Sequence, residues 1–202
     1  MRLQAITLSL LAATGLATPI RRDVSQAVYT LRLTSPVKSL DGLYLTTTPQ
    51  SDTDDTSTLG VSTSTTTSPA TQPVRFYPVH NPDTDLDELR RSSDTVGGGG
   101  ALAVVGANGL LDFAALADPE AVQAPDGTTV DWTSFRLGAE KKEGGGGAVE
   151  YVGKGGVAEG RWVAFPVGGE GERWSVKWRD VSAWTTENYM PVEVVYELVK
   201  EE

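Results

Sequence analysis

Apolar and polar residues alternate with a period of two along much of the chain, which is the pattern of strands that bury one face. Tyr29, Leu31 and Leu33 form the first such series. Comparable runs follow, and clusters of Gly, Pro or Asp bound most of them: residues 43–45, 74–79, 101–105, 130–137, 148–152, 161–165, 173–178 and 192–199. The pattern predicts an all-β protein.

Trp174, Val176 and Trp178 give the clearest alternation, because Arg, Ser and Lys side chains occupy the positions between and beside them. This composition is typical of a half-buried antiparallel strand. The Gly-rich residues 166–172 would turn the strand back onto residues 161–165 as a hairpin. The expected architecture is a single-domain antiparallel β-sandwich or barrel.

Two segments predict short helices. Residues 81–91 begin with Asn81 as an N-cap and Pro82 at the first helical position, carry acids early and end in two arginines, and each of these features suits a helix. Residues 110–117 (LLDFAALA) fit either a helix or a strand, and we favour a helix. The predicted β fold therefore carries one or two short helices.

Residues 46–73 contain 16 serines or threonines among 28 residues, together with three prolines. A segment with so few apolar side chains cannot offset the entropy that is lost on ordering. We therefore predict a disordered insertion between two strands that pair with each other. The Ser/Thr/Pro composition also suits O-glycosylation.

A glycine-rich sequence occurs twice. Residues 97–109 and 144–156 match at 8 of 13 positions with an offset of 47. That spacing suits the units of a β-trefoil, whose lobes often bind sugars, and a β-trefoil is the alternative architecture. Six of the eight matches are glycine and no third copy precedes them, so chance or shared hairpin chemistry explains the repeat better.

Residues 1–17 have the layout of a secretory signal peptide. A positive charge precedes a short apolar run, and small residues precede a cleavage site at the end of this segment. The apolar run is too short to span a bilayer. The dibasic pair Arg21-Arg22 would end a short pro-segment, residues 18–22. Residues 23–202 would then form one β domain that is secreted to the extracellular space.

Charge and composition exclude several classes of partner and chemistry. The formal net charge is −10, and without residues 1–22, which carry three arginines and no acid, it becomes −13. Such a surface repels phosphate backbones and anionic lipids, so we expect neither nucleic acid nor membrane as a partner. The chain has no cysteine, which excludes disulfides, thiol catalysis and thiolate metal sites.

No motif predicts a nucleotide site, a metal site or a catalytic triad. The glycine runs lack the Lys and Ser/Thr of a P-loop. His80 is the only histidine, and no Gly-x-Ser-x-Gly occurs. Residues 83–94 space their aspartates like a calcium loop but lack its central glycine and its final glutamate. We predict no cofactor, no metal and no catalytic residue.

Trp184 lies outside the strand patterns, in the polar connection before the last strand. With Asp180, Glu187, Asn188 and Tyr189 it resembles a sugar-stacking platform, since an indole ring covers one face of a pyranose and polar side chains bind its hydroxyls. These five residues are the predicted ligand-binding site. In the other interpretation, Trp184 folds back as a lid over one end of the sheets.

Hydrolysis of a sugar would need two carboxyl groups a few ångströms apart. Glu150, Glu159, Asp180 and Glu187 are candidates. Spacing along the sequence does not rank them among the 27 acidic residues of the chain.

Four features give a resemblance to a known family. They are the opening Tyr-x-Leu-x-Leu, the segment Leu40-Asp41-Gly42-Leu43-Tyr44-Leu45, the Gly-rich middle and the Trp-Ser-Val-Lys-Trp strand. Over most of residues 27–199 the chain resembles small secreted proteins of filamentous fungi, a family without an assigned activity. The resemblance implies export and a β fold, and it implies no site residues.

The favoured hypothesis is a secreted, non-enzymatic protein that acts by binding at the cell wall or in the extracellular space. Its partner would be a glycan or an extracellular protein. A glycan-binding, lectin-like module is the first alternative, and a glycosidase-like hydrolase is the second. The sequence leaves the oligomeric state open.

Overall fold

The computed structural model describes residues 27–48, 56–63, 72–92, 99–139, 146–154, 156, 158–168 and 172–200. The predicted signal peptide and pro-segment lie outside these residues. Within them the chain forms fourteen β-strands and no helix, which confirms the all-β prediction. The strands are β1 (Tyr29–Thr34), β2 (Thr46–Thr48), β3 (Thr56–Ser62), β4 (Arg75–Asn81), β5 (Leu86–Arg91), β6 (Ala101–Ala107), β7 (Leu110–Leu116), β8 (Thr129–Asp131), β9 (Phe135–Leu137), β10 (Gly146–Tyr151), β11 (Gly160–Val167), β12 (Arg173–Asp180), β13 (Met190–Pro191) and β14 (Glu193–Leu198).

Six strands close into an antiparallel barrel. Their order is β1, β4, β5, β9, β10 and β14, and each strand pairs with the next. The pairing of β1 with β14 completes the circle and joins residues 29–34 to residues 193–198 at six register positions. Closure removes the free strand edges that an open sheet would expose. The predicted barrel is confirmed.

Three hairpins, β2–β3, β6–β7 and β11–β12, stand outside the barrel. Their strands β3, β7 and β12 pair with one another, which makes a triangular array. Each hairpin lies in the sequence between two barrel strands. This is the strand topology of a β-trefoil. The glycine-rich repeat does not mark its units, because one copy contains the hairpin strand β6 and the other contains the barrel strand β10.

A closed circuit of five buried aromatic rings joins the hairpins to the barrel. The ring-centroid distances are 4.8 Å for Phe113–Trp162, 5.3 Å for Trp162–Trp178, 5.6 Å for Trp178–Tyr151, 5.8 Å for Tyr151–Phe135 and 6.0 Å for Phe135–Phe113. Phe113 and the two tryptophans belong to hairpin strands, and the other two rings belong to barrel strands or their ends. Such pairs add about 0.5–1.5 kcal/mol each beyond area burial. We call these five residues the aromatic circuit.

Hydrogen bonds satisfy the polar atoms of Tyr151 and Trp162 in the aromatic circuit. The hydroxyl of Tyr151 donates to Oδ2 of the buried Asp131 at 3.1 Å, and the backbone N–H and hydroxyl of Thr133 donate to Oδ1 at 3.0 and 3.2 Å. Trp162 Nε1 donates to the carbonyl of Val149 at 2.6 Å. Burial, and then the charge of Asp131, raise the pKa of Tyr151 above its ordinary value. The phenol therefore keeps the proton that it donates.

The helix predicted over residues 81–91 is wrong. The carbonyl of Asn81 accepts a hydrogen bond from the N–H of Asp85 at 2.9 Å, which closes a single turn. Asp85 has a φ of 56°, and the chain then continues as β5, which pairs with β4 at six positions. The capping signals are local, so a tight turn between strands uses them as well as a helix does.

The helix favoured over residues 110–117 is also wrong, because Leu110–Leu116 form β7 and pair with β6 at seven positions. Asn108 and Gly109 make the two-residue turn with φ values of 54° and 73°. Asn-Gly is the preferred pair for such a turn. This signal outweighs the helix propensity of Leu and Ala.

The disordered insertion predicted over residues 46–73 is wrong where the structure describes that segment. Its first three residues form β2, and residues 56–62 form β3, whose Leu59 and Val61 are buried. Threonine suits a pleated, half-buried strand, and neighbouring hairpins supply the burial that the segment lacks by itself. Residues 49–55 and 64–71 lie outside the described residues.

The predicted hairpin between residues 161–165 and 173–178 is confirmed. β11 and β12 pair at eight positions, and Val176 and Trp178 are buried on the predicted face. The polar positions between them point the other way, as a period of two requires.

We predict that Phe113→Ala lowers the free energy of unfolding by about 3–5 kcal/mol, because it removes a ring from the aromatic circuit and leaves a cavity. Urea unfolding, followed by circular dichroism, measures the loss. Val79→Ala, at an exposed position of β4, is the control and should cost less than about 0.5 kcal/mol. Equal unfolding midpoints for the two variants would contradict the assignment of the circuit as the core.

Candidate functional site

The segment between β12 and β13, residues 181–189, carries four of the five predicted binding residues, and we call it the Trp184 loop; the fifth, Asp180, ends β12. Local hydrogen bonds fix its first half. Oδ1 of Asp180 accepts from the backbone N–H of Ser182 at 2.8 Å and from its hydroxyl at 2.6 Å. Arg179 Nη2 donates to the carbonyl of Ala183 at 2.7 Å, and Ala183 is buried. The backbone that precedes Trp184 is therefore held in place.

The second half of the Trp184 loop is fixed as well. Thr185 Oγ1 accepts from the backbone N–H of Glu187 at 3.1 Å. The ring of Tyr189 lies 5.6 Å from the ring of Phe165, and the guanidinium of Arg179 stands 5.3 Å from the centre of the Tyr189 ring. Tyr189 thus fastens the end of the loop to the outer face of the β11–β12 hairpin.

Trp184 is 83% exposed, although the backbone on both sides of it is anchored. The lid interpretation is therefore wrong. A buried side chain of this size would stabilise the fold by at least about 1.5–3 kcal/mol, and the exposed Trp184 does not provide this stabilisation. Packing of the fold does not require a tryptophan at this position, so its exposed ring is available to a ligand.

The five predicted site residues fall into two groups. Trp184, Glu187 and Asn188 are exposed together on the loop. Asp180 and Tyr189 serve as anchors, because Oδ1 of Asp180 already accepts two hydrogen bonds and the ring of Tyr189 packs against Phe165 and Arg179. The anchoring roles of Ser182 and Arg179 were not predicted from the sequence. An Asp-x-Ser turn is a signal that could have identified the first of them.

Hydrogen bonds hold the pKa of Asp180 below its ordinary value. The largest cause is the hydroxyl of Ser182, followed by the backbone N–H of the same residue. A carboxyl group with a lowered pKa stays ionised near neutral pH and cannot donate a proton as a general acid. Asp180 therefore positions the loop and does not suit acid catalysis.

Next to the start of the loop, a cavity of about 540 Å³ lies between β10, β11, β12 and β14. Val181, the first residue of the Trp184 loop, belongs to its lining. The inner wall is apolar and includes the buried rings of Trp162 and Trp178. The exposed charged residues of its rim are Glu150, Glu159, Arg161 and Glu193.

The four carboxylates that are candidates for sugar hydrolysis lie in two different parts of the structure. Glu150 and Glu159 line the cavity, whereas Asp180 and Glu187 belong to the Trp184 loop and its anchor. A carboxyl group that acts as a general acid usually owes this role to burial beside apolar groups. The side chains of Glu150 and Glu159 are exposed.

His80 lies in β4 and belongs neither to the cavity lining nor to the Trp184 loop. Its Nδ1 is 3.2 Å from an oxygen of Asp87 and its Nε2 is 3.8 Å from an oxygen of Asp85. Throughout the residues that the structure describes, no three His, Asp or Glu side chains come close enough together to hold a metal ion.

Comparisons with known proteins find no matching family model, no matching curated protein and no matching solved structure. In the described ranges, no helix is long and apolar enough to cross a membrane. The Trp184 loop and the cavity are therefore the basis for a functional proposal.

We predict that the pKa of Asp180 lies below the ordinary value of about 3.9, and that Ser182→Ala raises it towards that value. Because the pKa of Asp180 is lowered in the folded state, the ionised carboxylate stabilises the fold. This stabilisation is complete above the ordinary pKa and disappears as the pH falls through the lowered pKa. A carboxyl ¹³C NMR titration measures the pKa in both proteins. Thr186→Ala, at an exposed loop position, should leave it unchanged. An unaltered pKa in Ser182→Ala would refute the anchoring role of the hydroxyl.

Proposed function

We propose that the protein is a non-enzymatic binding protein that recognises glycans through the exposed face of the Trp184 loop. The observation that carries the proposal is the 83% exposure of Trp184 on a backbone that is anchored on both sides. Because the sequence predicts a secretory signal, we propose that this binding takes place at the cell wall or in the extracellular space.

The chemistry of the exposed group suits a sugar. The flat indole face of Trp184 can cover the C–H face of a pyranose. Glu187 supplies carboxylate oxygens that accept hydrogen bonds from hydroxyls, and the amide of Asn188 both donates and accepts. An apolar platform with a few polar groups at its side is the usual composition of a small-ligand site.

Binding without catalysis agrees better with these side chains than hydrolysis does. The lowered pKa of Asp180 keeps it ionised, and the exposed Glu150 and Glu159 lack the buried, apolar setting of a general acid. The hydrolase alternative predicts release of reducing sugar that a single Glu150→Gln or Glu159→Gln change abolishes. The binding proposal predicts no such release.

We predict that Trp184→Ala weakens glycan binding by at least about 30-fold, which corresponds to about 2 kcal/mol, because truncation of a central aromatic side chain usually costs this much. Trp184→Phe should retain part of the affinity, since it keeps an aromatic face. A glycan array with the purified protein identifies the ligand, and titration of tryptophan fluorescence gives the dissociation constants.

The matched control is Tyr44→Ala, which removes another aromatic side chain that is 43% exposed. It should bind the ligand as the wild type does. Thermal unfolding of Trp184→Ala should be unchanged, because the ring is exposed. An affinity for the array-identified glycan that is unchanged in Trp184→Ala would overturn the proposal, and so would a silent array, whether or not Trp184 mediates capture of an extracellular protein.

A further inference from the structure

The wall of the cavity beside the Trp184 loop includes Trp178, whose buried indole N–H has no acceptor among the described residues. Trp178 is 5% exposed, and among the described residues its Nε1 has no hydrogen-bond partner. This nitrogen lies beside the cavity-lining Gly160, because a Cβ added there would stand 2.8 Å from it. Buried donors are nearly always paired, and an exception calls for an explanation. An acceptor atom of a bound ligand would supply the missing partner.

The rim of the cavity has an excess of negative charge. Glu150, Glu159 and Glu193 oppose the single positive charge of Arg161. Within the described part of the chain, none of these four side chains forms an ion pair, and Arg136, which faces Glu150 in the β9–β10 register, is not bonded to it either. Three carboxylates that have no ion-pair partner among the described residues and surround an apolar wall favour a cation that also has an apolar surface.

A metal ion does not fit this arrangement. Metal sites need several oxygen or nitrogen ligands within a few ångströms of one point, and no such cluster occurs among the described residues. The volume of about 540 Å³ falls in the range of small-molecule sites, about 300–1,000 Å³. The rim therefore suits an organic cation.

Three requirements narrow the class of ligand. It should carry a positive charge for the glutamates, a compact C–H surface for the apolar wall and an acceptor oxygen for Trp178 Nε1. A simple alkylammonium lacks the acceptor, and an amino acid would bring a carboxylate against the rim. An amino sugar with a free amine has all three, since its hydroxyl and ring oxygens accept hydrogen bonds.

We propose that the cavity binds the ammonium-bearing residue of an amino-sugar glycan, with the ammonium group at the negatively charged rim that Glu150, Glu159 and Glu193 form and a sugar oxygen accepting from Trp178 Nε1. This inference rests on the proposed glycan-binding function and adds the class of sugar and a second contact area. Val181 links the two areas, because it lines the cavity and begins the Trp184 loop.

The test is a titration of ¹⁵N-tryptophan-labelled protein with glucosamine and with N-acetylglucosamine at about pH 6, below the ordinary pKa of an amine. Glucosamine should shift the indole resonance of Trp178, and the uncharged N-acetyl sugar should bind at least about ten-fold more weakly. Trp178→Phe assigns the resonance. If that variant does not fold, contacts between the indole proton and Gly160 assign it in the wild type.

The double variant Glu159→Gln/Glu193→Gln should weaken glucosamine binding by about ten-fold, since each exposed charge contributes roughly two- to five-fold. Glu120→Gln removes another exposed charge that is not part of the cavity and should have no effect. Trp184→Ala should leave the glucosamine-induced shift of Trp178 in place.

Three outcomes would overturn the inference. They are equal affinity for the two sugars, unchanged affinity in the double glutamine variant, and a glucosamine shift that is confined to the indole of Trp184. In the last case the proposed function stands, because the loop still binds sugar. A glycan array that remains silent refutes the proposed function itself, and with it the amino-sugar assignment.

Discussion

Packing of the aromatic circuit is the interaction on which the rest of the structure depends. No cysteine is present to join the hairpins to the barrel, so side-chain packing must do so, together with the short pairing of β6 with β5. Phe113, Trp162 and Trp178 reach from hairpin strands to Phe135 and Tyr151 at the barrel. The β2–β3 hairpin lies outside the circuit and is held through the pairing of β3 with β7 and β12.

The same circuit shapes both candidate binding areas. Trp162, Trp178 and Tyr151 form part of the cavity wall, so the residues that stabilise the fold also define the space for a ligand. β12 continues from Trp178 through Arg179 to Asp180, and these last two residues anchor the Trp184 loop. A change in the packing of Trp178 would therefore be transmitted to the cavity and to the loop.

Local patterns predicted those parts of the fold that depend on neighbours in the sequence. Period-two alternation identified the β11–β12 strands and the face that carries Val176 and Trp178. Prediction from local signals failed where one signal had two structural uses, as in the Asn81 turn that resembles a helix start. It also failed for β3, because Leu59 and Val61 are buried only by hairpins that are distant in the sequence.

Of the two candidate binding areas, the Trp184 loop was predicted from the sequence and the cavity was not. Trp184, Glu187 and Asn188 lie within five residues of one another, so composition alone placed them together on one exposed loop. The cavity was not predicted, because pairing between β10 and β14 brings the segment that bears Glu150 beside the one that bears Glu193. No sequence pattern within either segment predicts that β10 pairs with β14. Long-range register is the information that single-sequence reasoning lacks.

Anchoring of the Trp184 loop bears directly on affinity. A flexible loop would lose conformational freedom when a ligand orders it, and this loss would weaken binding. Here the hydrogen bonds of Ser182, Ala183 and Glu187 order the backbone before any ligand arrives. The exposed indole then contributes its contact energy without that loss. An exposed tryptophan on an ordered loop is therefore better suited to recognition than the same residue on a mobile one.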